Sequence, residues 1–364
     1  MLLRFASIAV VLMAILAPAA HADTERLVFI GDSITDGHTL PLVVRQALAE
    51  AKKPVPIVIN AGVAGDTAAG MRKRLERDVL PRKPTRVLLS AGINDVLHNV
   101  KVEDYELDVA DIANRLRPKK IPLVILTTTI LGPKHEAADK RLVDFNDALR
   151  RVARKYGATI AEVNRQVRLE QSEGTKLLEE DQIHLTFAGY RVMARAVLDA
   201  LGHQDVPVPN ELKPDVMPGI VREWKVRALD KADALDEKAV SELMPDESWK
   251  SLSLPQKRPL AHWWADQERQ RGFAQELDKL AGSGKAYAAV ATVESEKPRK
   301  AFLNTGAQLS AVWLNGKRVY KSEGWTGWHA GKERIPIELK AGKNLLVIET
   351  GSAFFLSITD DDQW

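Results

Sequence analysis

The sequence predicts an α/β region built on a parallel sheet, followed by an all-β region of antiparallel strands. Strand and helix patterns alternate through residues 27–201, as they do in right-handed β-α-β crossovers. After residue 220 the pattern changes to short strands separated by tight turns, and all eight tryptophans lie there. Four prolines fall between the two regions, within residues 205–219, and indicate a linker.

The α/β region contains five apolar runs of strand length, at residues 27–30, 56–60, 86–90, 123–127 and 159–163. Helical patterns lie between and after these runs, at residues 41–51, 68–79, 105–116, 140–156 and 187–201. Because the strands are continuously apolar, we expect helices to cover both faces of the sheet. Ligands of such sheets bind at the carboxyl ends of the strands.

A β-hairpin is the clearest element of the second region. Asn315-Gly316 lies between the strand-like runs 311–314 and 317–320, and Asn-Gly favours the positive φ angles of a type I′ turn. Further strands are predicted at residues 335–339, 344–349 and 353–358, and a helix near residues 232–243. Regular short strands joined by turns predict an antiparallel sandwich.

The first 22 residues have the pattern of a secretory signal peptide. Arg4 precedes an apolar stretch at residues 8–16, and the small residues that follow end in Ala20-His21-Ala22. We expect cleavage before Asp23 and export to the periplasm or the medium; an uncleaved N-terminal anchor is the alternative. No later segment is apolar enough to cross a bilayer, so no transmembrane segment is expected in the mature chain.

The composition excludes several kinds of site. The chain contains no cysteine, which excludes disulfides, thiolate metal ligands and a cysteine nucleophile. Its formal charge of +3 is small against 52 basic and 49 acidic residues, so no nucleic-acid partner is expected. No feature of the sequence predicts the oligomeric state.

A serine and a distant Asp/His pair indicate nucleophilic catalysis. Ser33 lies in Gly31-Asp32-Ser33, directly after the first strand, where a tight turn can present its hydroxyl at the edge of the sheet. Asp181 and His184 are three residues apart, just before the last helix of the region, so they can lie on the same side of one turn. His184 can then face Ser33 while Asp181 holds the other ring nitrogen, in the chain order Ser, Asp, His.

Two further blocks complete a resemblance to the SGNH/GDSL hydrolases. Residues 60–67 read Asn-Ala-Gly-Val-Ala-Gly-Asp-Thr after the second strand, and residues 91–95 read Ala-Gly-Ile-Asn-Asp after the third. The family blocks are a Ser in Gly-Asp-Ser, a Gly, an Asn in Gly-x-Asn-Asp and a His in Asp-x-x-His, and all occur here in family order. The resemblance covers about residues 24–203, with Ile34 in place of the Leu of the family name. It implies a flavodoxin-like, three-layer α/β/α hydrolase domain.

The resemblance implies a role for each matched residue. Ser33 would be the nucleophile, His184 the general base and then the general acid, and Asp181 the group that orients His184. The backbone N–H groups of Ser33 and Gly65 and the side-chain amide of Asn94 would form the oxyanion hole. This reaction class requires neither a metal nor a cofactor, and none is expected.

Each of these residues also has a structural interpretation when it is taken alone. The alternatives are a helix cap for Ser33 and Asn94, a turn for Gly65 and Asp181, and the core for His184. The other histidines lack an acidic partner in comparable sequence context. His38, near the Ser33 loop, is interpreted as a polar surface residue, with a role in shaping substrate entry as the alternative.

The second region resembles the jelly-roll accessory modules found beside carbohydrate-active enzymes. The resemblance rests on residues 312–317, Val-Trp-Leu-Asn-Gly-Lys, and on the stretch 342–349, and it assigns no binding residues. Trp325 and Trp328 fall in a predicted loop, where they either stack on sugar rings or cap the core. Trp263-Trp264 is interpreted as structural.

These patterns divide the chain into a signal peptide at residues 1–22, a hydrolase domain at 23–204, a Pro-rich linker at 205–219 and a β-sandwich domain at 220–364. The predicted function is that of an exported serine esterase which removes O-acyl groups, above all O-acetyl groups, from carbohydrate. The expected partner is an acylated small molecule or polysaccharide. Two alternatives stay open: a lysophospholipase- or thioesterase-type acyl hydrolase, and a glycan-binding protein with a decayed hydrolase domain.

Overall fold

The N-terminal region, residues 24–204, is organised around a five-stranded parallel sheet. The computed structural model of the chain describes residues 24–360, so the expected signal peptide lies outside the described residues. The strands are β1 Arg26–Gly31, β2 Ile57–Gly62, β3 Arg86–Ser90, β4 Leu123–Leu126 and β5 Thr159–Ala161. Their order across the sheet is β2-β1-β3-β4-β5, and every neighbouring pair is parallel. This is the flavodoxin-like order, and it confirms the predicted fold class.

Helices cover both faces of this sheet. They are α1 Ser33–Asp36, α2 Thr39–Glu50, α3 Ala68–Arg74, α4 Ile93–Leu97, α5 Val102–Leu116, α6 Glu136–Tyr156, α7 Val163–Ser172 and α8 Phe187–Ala200. Residues Leu27 to Ile30 of β1 are each at most 1% exposed, although their side chains alternate between the two faces. Two separate groups of helices supply this burial: α2 with α7 and α8, and α3 with α5 and α6.

Helix α7 is the longest helix of this region that the sequence analysis missed. The residues expected as a strand at 159–163 leave the sheet after Ala161, and the helix begins at Val163. The Asn164 N–H donates to Thr127 Oγ1 (2.9 Å) at this change of direction. Val163 and Val167 are its buried residues, so its apolar stripe is too sparse to stand out in the sequence.

The C-terminal region, residues 220–360, is an antiparallel sheet with short helices. The strands are β6 Glu223–Leu229, β7 Lys250–Ser253, β8 Ala286–Ser295, β9 Arg299–Leu314, β10 Lys317–Lys321, β11 Arg334–Leu339 and β12 Gly342–Thr359. The helices are α9 Glu237–Ser241, α10 Trp263–Arg271 and α11 Leu277–Ala281. The strands form one continuous sheet in the order β10-β9-β12-β8-β6-β7, with β11 paired to β9. The predicted all-β, antiparallel class of this region is therefore confirmed.

The long strands β9 and β12 hold this sheet together. The runs predicted separately at 344–349 and 353–358 both belong to β12, whose pairing with β9 shifts register between Thr350 and Phe354. The hairpin joining β9 to β10 turns at Asn315-Gly316 with φ angles of 53° and 84°, as predicted. The helix expected at 232–243 is shorter and spans only α9.

The two regions and the segment between them are in contact. Residues 205–219 contain no helix or strand and run along α2 and α8, with Val206 buried and Asp215 within 3.3 Å of Arg45. From the C-terminal region, Trp264 Nε1 donates to Gly37 O (3.1 Å). The division of the chain into separate domains at these residues stays a prediction. Over residues 24–360, no helix is long and apolar enough to cross a membrane.

Candidate active site

Ser33 is the first residue of α1, directly beyond the carboxyl end of β1. Asp32 caps this helix, because its carboxylate accepts a hydrogen bond from the Ile34 N–H at 3.0 Å. The cap is thus Asp32, and the alternative interpretation of Ser33 as the cap is wrong. The Ser33 hydroxyl is 2.8 Å from His184 Nε2. The end of β1 therefore presents a serine hydroxyl to a histidine that lies 151 residues further along the chain.

The turn that precedes α8 holds Asp181 and His184 together. Asp181 Oδ1 accepts from the Ile183 N–H (2.9 Å) and the His184 N–H (3.0 Å), while Oδ2 lies 2.5 Å from His184 Nδ1. Burial acts to raise the pKa of Asp181, but the hydrogen bonds from the His184 ring and from the two N–H groups outweigh it and lower the pKa. An ionised Asp181 stabilises the Nδ1–H tautomer of His184, which leaves Nε2 free to accept a proton from Ser33.

Gly65 and Asn94 lie in the loops that follow β2 and β3. Gly31 pairs with Gly62 of β2 and with Ser90 of β3, so the three strands end side by side. Asn94 lies inside α4, whose cap is Gly92, so the capping interpretation of Asn94 is also wrong. Its Nδ2 donates to the carbonyl oxygen of Asp66 (3.0 Å), and Asp66 directly follows Gly65. Gly65 has φ +82°, a conformation that favours glycine, and a Cβ there would meet no atom within 4 Å.

Arg74 is a buried residue of this site that the sequence analysis missed. Its guanidinium donates to Gly31 O (2.9 Å) and Ala61 O (2.5 Å), and its Nε pairs with Asp66 Oδ2 (2.6 Å). One side chain therefore ties the ends of β1 and β2 to the loop that carries Gly65. Nothing in the local sequence distinguishes this arginine from the exposed basic residues on either side of it.

Two buried carboxyl groups lie beside the candidate nucleophile. Burial raises the pKa of Asp32 to about 7 and that of Asp95 to about 6. Asp95 accepts from the Ala68 N–H through both oxygens, at 3.1 and 3.2 Å. These N–H bonds oppose the effect of burial without cancelling it.

Substituting Asp32 should therefore change how stability depends on pH. The folded-state pKa of Asp32 lies above its ordinary value of 3.8, so ionisation favours the unfolded state and stability falls as pH rises between these two values. The Asp32→Asn variant cannot ionise, while its amide oxygen still accepts from the Ile34 N–H. Between about pH 5 and about pH 8, wild type should lose about 2 kcal/mol more unfolding free energy than Asp32→Asn. Urea unfolding at both pH values measures this difference. Titrating groups remote from Asp32 contribute equally to both proteins and cancel, and equal losses in the two proteins would contradict the prediction.

Ser33 and His184 open into a cavity of about 350 Å³. Its lining from the N-terminal region also includes Asp36, Gly37, Ala64, Glu179, Asp181, Leu185 and Tyr190. The C-terminal region supplies the rest of the wall, which consists of His262, Trp263, Trp264, Trp325 and Trp328. Trp325 is 50% exposed and Trp328 is partly buried. The interpretation of Trp263-Trp264 as only structural is therefore incomplete, since both side chains line the cavity.

The tryptophan wall is attached to the N-terminal region by hydrogen bonds. Trp263 Nε1 donates to Glu179 Oε1 (2.7 Å), two residues before Asp181. The His329 ring donates from Nδ1 to Asp36 Oδ1 (2.9 Å), at the end of α1. His329 thus has an acidic partner, contrary to the expectation from the sequence. His38 is only 5% exposed, so its interpretation as a surface residue is wrong, and burial holds the pKa of its ring well below the ordinary value.

Comparison with known proteins identifies a family for the N-terminal region. Residues 29–192 match the model of the GDSL-like Lipase/Acylhydrolase family. This part of the chain belongs to that family. The chain is an acyl ester hydrolase, as predicted, and its substrate is accordingly an acylated compound.

The GDSL-type region has relatives among characterised and solved proteins. An acetylxylan esterase of Geobacillus stearothermophilus is 26% identical over 210 residues, which are 50% of this chain and 95% of that protein. A solved α/β hydrolase from the metagenome of Lake Arreo, Spain, is 28% identical, covering 50% of this chain and 96% of its own, with a TM-score of 0.46. A solved acetylxylan esterase from Geobacillus stearothermophilus is 23% identical over 51% of this chain and 97% of its own, also with a TM-score of 0.46.

The described residues also include no metal-binding group. Between residues 24 and 360, no group of three or more His, Cys, Asp or Glu side chains could hold a metal ion.

Proposed function

We propose that Ser33, His184 and Asp181 hydrolyse a carboxylic ester through an acyl-enzyme. Ser33 Oγ attacks the ester carbonyl while His184 Nε2 takes its proton, and the same proton then passes to the departing alcohol. Water, activated by His184, releases the acid and regenerates Ser33. The observation that carries this proposal is the line of two hydrogen bonds, 2.8 Å from Ser33 to His184 and 2.5 Å from His184 to Asp181. An intact line of this kind also argues against a decayed hydrolase domain.

The oxyanion of the tetrahedral intermediate would be bound by the N–H groups of Ser33 and Gly65 and by Asn94 Nδ2. The Ser33 N–H lies in the first turn of α1, where helix N–H groups have no partner within the helix. Asn94 Nδ2 carries two hydrogens, and its bond to Asp66 O uses one of them. Its second hydrogen is the proposed donor to the oxyanion.

Removal of the Asn94 amide should slow turnover more than it weakens substrate binding. Loss of one oxyanion donor typically lowers kcat about 10²–10³-fold, and we expect a loss of this size for Asn94→Ala. Steady-state kinetics on a soluble acetyl ester measure it. A change confined to KM would instead indicate that Asn94 binds the ground-state substrate, and the oxyanion assignment would be wrong.

The proposed substrate is an O-acetyl ester on a carbohydrate. The cavity beside Ser33 is small and its wall is built from indole rings, which stack on the apolar faces of sugars. An acyl hydrolase for long lipid chains would instead need a longer aliphatic channel for the acyl chain. The acetylxylan esterase relative, which spans half of this chain, points to the same class of substrate. The predicted signal peptide at residues 1–22 would bring the enzyme to polysaccharides outside the cell.

A substrate panel tests this proposal together with the role of Trp325. We expect the full chain to hydrolyse p-nitrophenyl acetate better than the butyrate or octanoate, and to release acetate from acetylated xylooligosaccharides. Trp325→Ala should raise KM for the oligosaccharide about fivefold, because a stacking contact contributes on the order of 1 kcal/mol. Its kinetics on p-nitrophenyl acetate should stay close to those of wild type.

The conservative Trp325→Phe variant is the control for this measurement. It retains a ring that can stack, so its KM for the oligosaccharide should stay close to that of wild type. Preference for long acyl chains or for lysophospholipids would contradict the carbohydrate proposal and favour the lipid alternative. Equal KM values for Trp325→Ala and wild type would remove Trp325 from the substrate site.

A further inference from the structure

Asp36, the last residue of α1, is a buried carboxylate that receives hydrogen bonds from two loops on different regions. It is 2% exposed. Its Oδ2 accepts from the Ala64 N–H (3.1 Å), in the loop after β2. Its Oδ1 accepts from the Trp328 N–H (2.7 Å), the His329 N–H (3.1 Å) and His329 Nδ1 (2.9 Å), in the C-terminal region. The two oxygens of one side chain therefore hold two different loops.

The first of these loops carries a proposed oxyanion donor. We call residues 63–67 the oxyanion loop, since Ala64 directly precedes Gly65. The Ala64 N–H and the Gly65 N–H belong to adjacent peptide planes that meet at the Ala64 Cα. Once the first plane is held by Asp36, only the φ and ψ angles of Ala64 set the direction of the Gly65 N–H. The hydrogen bond from Ala64 to Asp36 thus acts on the geometry of the oxyanion hole.

The second loop carries part of the cavity wall. We call residues 322–331 the aromatic loop, since Trp325 and Trp328 lie in it and line the cavity with Ser33. Its backbone comes close to the end of β2 at Gly327, which has φ +114° and where a Cβ would lie 2.8 Å from Gly62 O. The aromatic loop is therefore seated on the strand that leads into the oxyanion loop.

We propose that Asp36 is a positioning residue that fixes the oxyanion loop and the aromatic loop in one arrangement, which makes the C-terminal region a part of the catalytic site. This inference rests on the proposed ester hydrolysis at Ser33. It assigns to the C-terminal region a function in turnover as well as in substrate binding. The contacts that bring the two loops together join Asp36 to Trp328 and His329, which lie 292 and 293 positions further along the chain.

We call the hydrogen bonds that join Asp36 to the oxyanion loop and to the aromatic loop the clamp. The Asp36→Asn variant distinguishes its two sides. If its amide oxygen keeps the three donors of the aromatic loop, its NH₂ group faces the Ala64 N–H, and two donors oppose each other. We expect the oxyanion loop to shift and kcat on p-nitrophenyl acetate to fall about 10- to 100-fold, as small misplacements of catalytic groups do. KM for the same ester should change much less.

Substitutions of His329 test the other side of the clamp. His329→Ala removes one of the three donors that the aromatic loop gives to Asp36. KM for acetylated xylooligosaccharides should rise several-fold, and kcat on p-nitrophenyl acetate should fall by a smaller factor, because the two remaining N–H donors still hold Asp36. His329→Asn places an amide N–H near the position of Nδ1 and should restore most of the KM. A purely structural role for His329 would not give this split between KM and kcat, nor the rescue.

Glu349→Gln is the matched control for Asp36→Asn. Glu349 is 2% exposed, and its two oxygens accept from the Asp233 and Leu235 N–H groups, away from the cavity. The variant should keep the kcat and KM of wild type. Each rate is divided by the concentration of protein that a fluorophosphonate labels, so that loss of folded enzyme is not counted as a loss of kcat.

Three results would overturn the inference. They are a kcat for Asp36→Asn within twofold of wild type, an equal loss of kcat in Glu349→Gln, and a loss explained entirely by a smaller labelled fraction. The wild-type chain distinguishes failure of the proposed function from failure of this inference. If wild type hydrolyses no ester, the proposed function is wrong. If wild type and Asp36→Asn are equally active, only the role of the clamp is wrong.

Discussion

Ser33→Ala should lower ester hydrolysis about 10⁴-fold or more while the protein stays folded, because the group that forms the acyl bond is missing. The turn around Ser33 does not depend on its hydroxyl. Asp32 caps α1 through the Ile34 N–H, and the Asp36 N–H and Thr35 N–H both donate to Asp32 O. Removal of one hydroxyl therefore leaves the local fold in place, and the loss should appear in kcat.

The measurement is hydrolysis of p-nitrophenyl acetate, with fluorophosphonate labelling and thermal unfolding on the same samples. Wild type should be labelled at Ser33, and Ser33→Ala should not be labelled. Ser172→Ala is the matched control, since Ser172 is an exposed residue at the end of α7 whose hydroxyl donates to Leu169 O. It should retain full activity and labelling. An active, folded Ser33→Ala protein would exclude the acyl-enzyme route altogether.

The parallel sheet was predictable because its strands are buried on both faces. A continuous apolar run such as residues 27–30 can be covered only by helices on two sides, and the alternation with amphipathic helices then determines the class of fold. The order β2-β1-β3-β4-β5 followed from the family resemblance, since periodicity alone does not determine strand order. Helix α7 escaped detection because two buried valines make too weak a pattern.

The candidate catalytic side chains could be proposed from the sequence because each lies in a short local block. Ser33 follows β1 within two residues, and Asp181 and His184 share a single turn, so spacing alone suggests their roles. The structure brings Ser33 and His184 to 2.8 Å, and the low pKa of Asp181 follows from hydrogen bonds within that turn.

The rest of the site could not be predicted because it depends on contacts between distant parts of the chain. Trp263 and Trp264 have no local pattern that indicates a cavity, and they reach it only because α10 packs against Gly37 and Glu179. The bond between Asp36 and His329 joins residues that are 293 positions apart. A single sequence contains no signal for such a pair, and Arg74 was missed for the same reason.

These distant contacts determine what we expect of a truncated chain. Residues 24–204 contain Ser33, Asp181 and His184, which favours activity on small esters without the C-terminal region. However, four tryptophans of the cavity wall and three of the four hydrogen bonds to Asp36 come from beyond residue 260. The clamp at Asp36 therefore predicts that separation of the regions lowers turnover as well as binding of polymeric substrate.

Asp181→Asn should lower kcat about 10²–10⁴-fold, because it reverses the tautomer of His184. Asp181 Oδ1 holds the Ile183 and His184 N–H groups, so the amide oxygen of the variant stays there and its NH₂ group faces His184 Nδ1. The ring must then accept at Nδ1 and carry its proton at Nε2, which points that proton at Ser33 Oγ. In this tautomer Nε2 cannot take the serine proton, so attack on the ester is slow even though every distance is nearly unchanged.

Kinetics on p-nitrophenyl acetate give kcat, and the nitrogen chemical shifts of the His184 ring report the tautomer directly. Asp246→Asn is the matched control: Asp246 Oδ1 also accepts an N–H two residues ahead, from Ser248 (2.8 Å), on an exposed turn remote from the cavity. We expect this control to behave as wild type. If Asp181→Asn keeps the wild-type kcat, then Ser33 and His184 act as a dyad. Since Asp181 and His184 are both nearly half exposed, solvent would in that case supply the orienting hydrogen bond to Nδ1 that the carboxylate is proposed to supply.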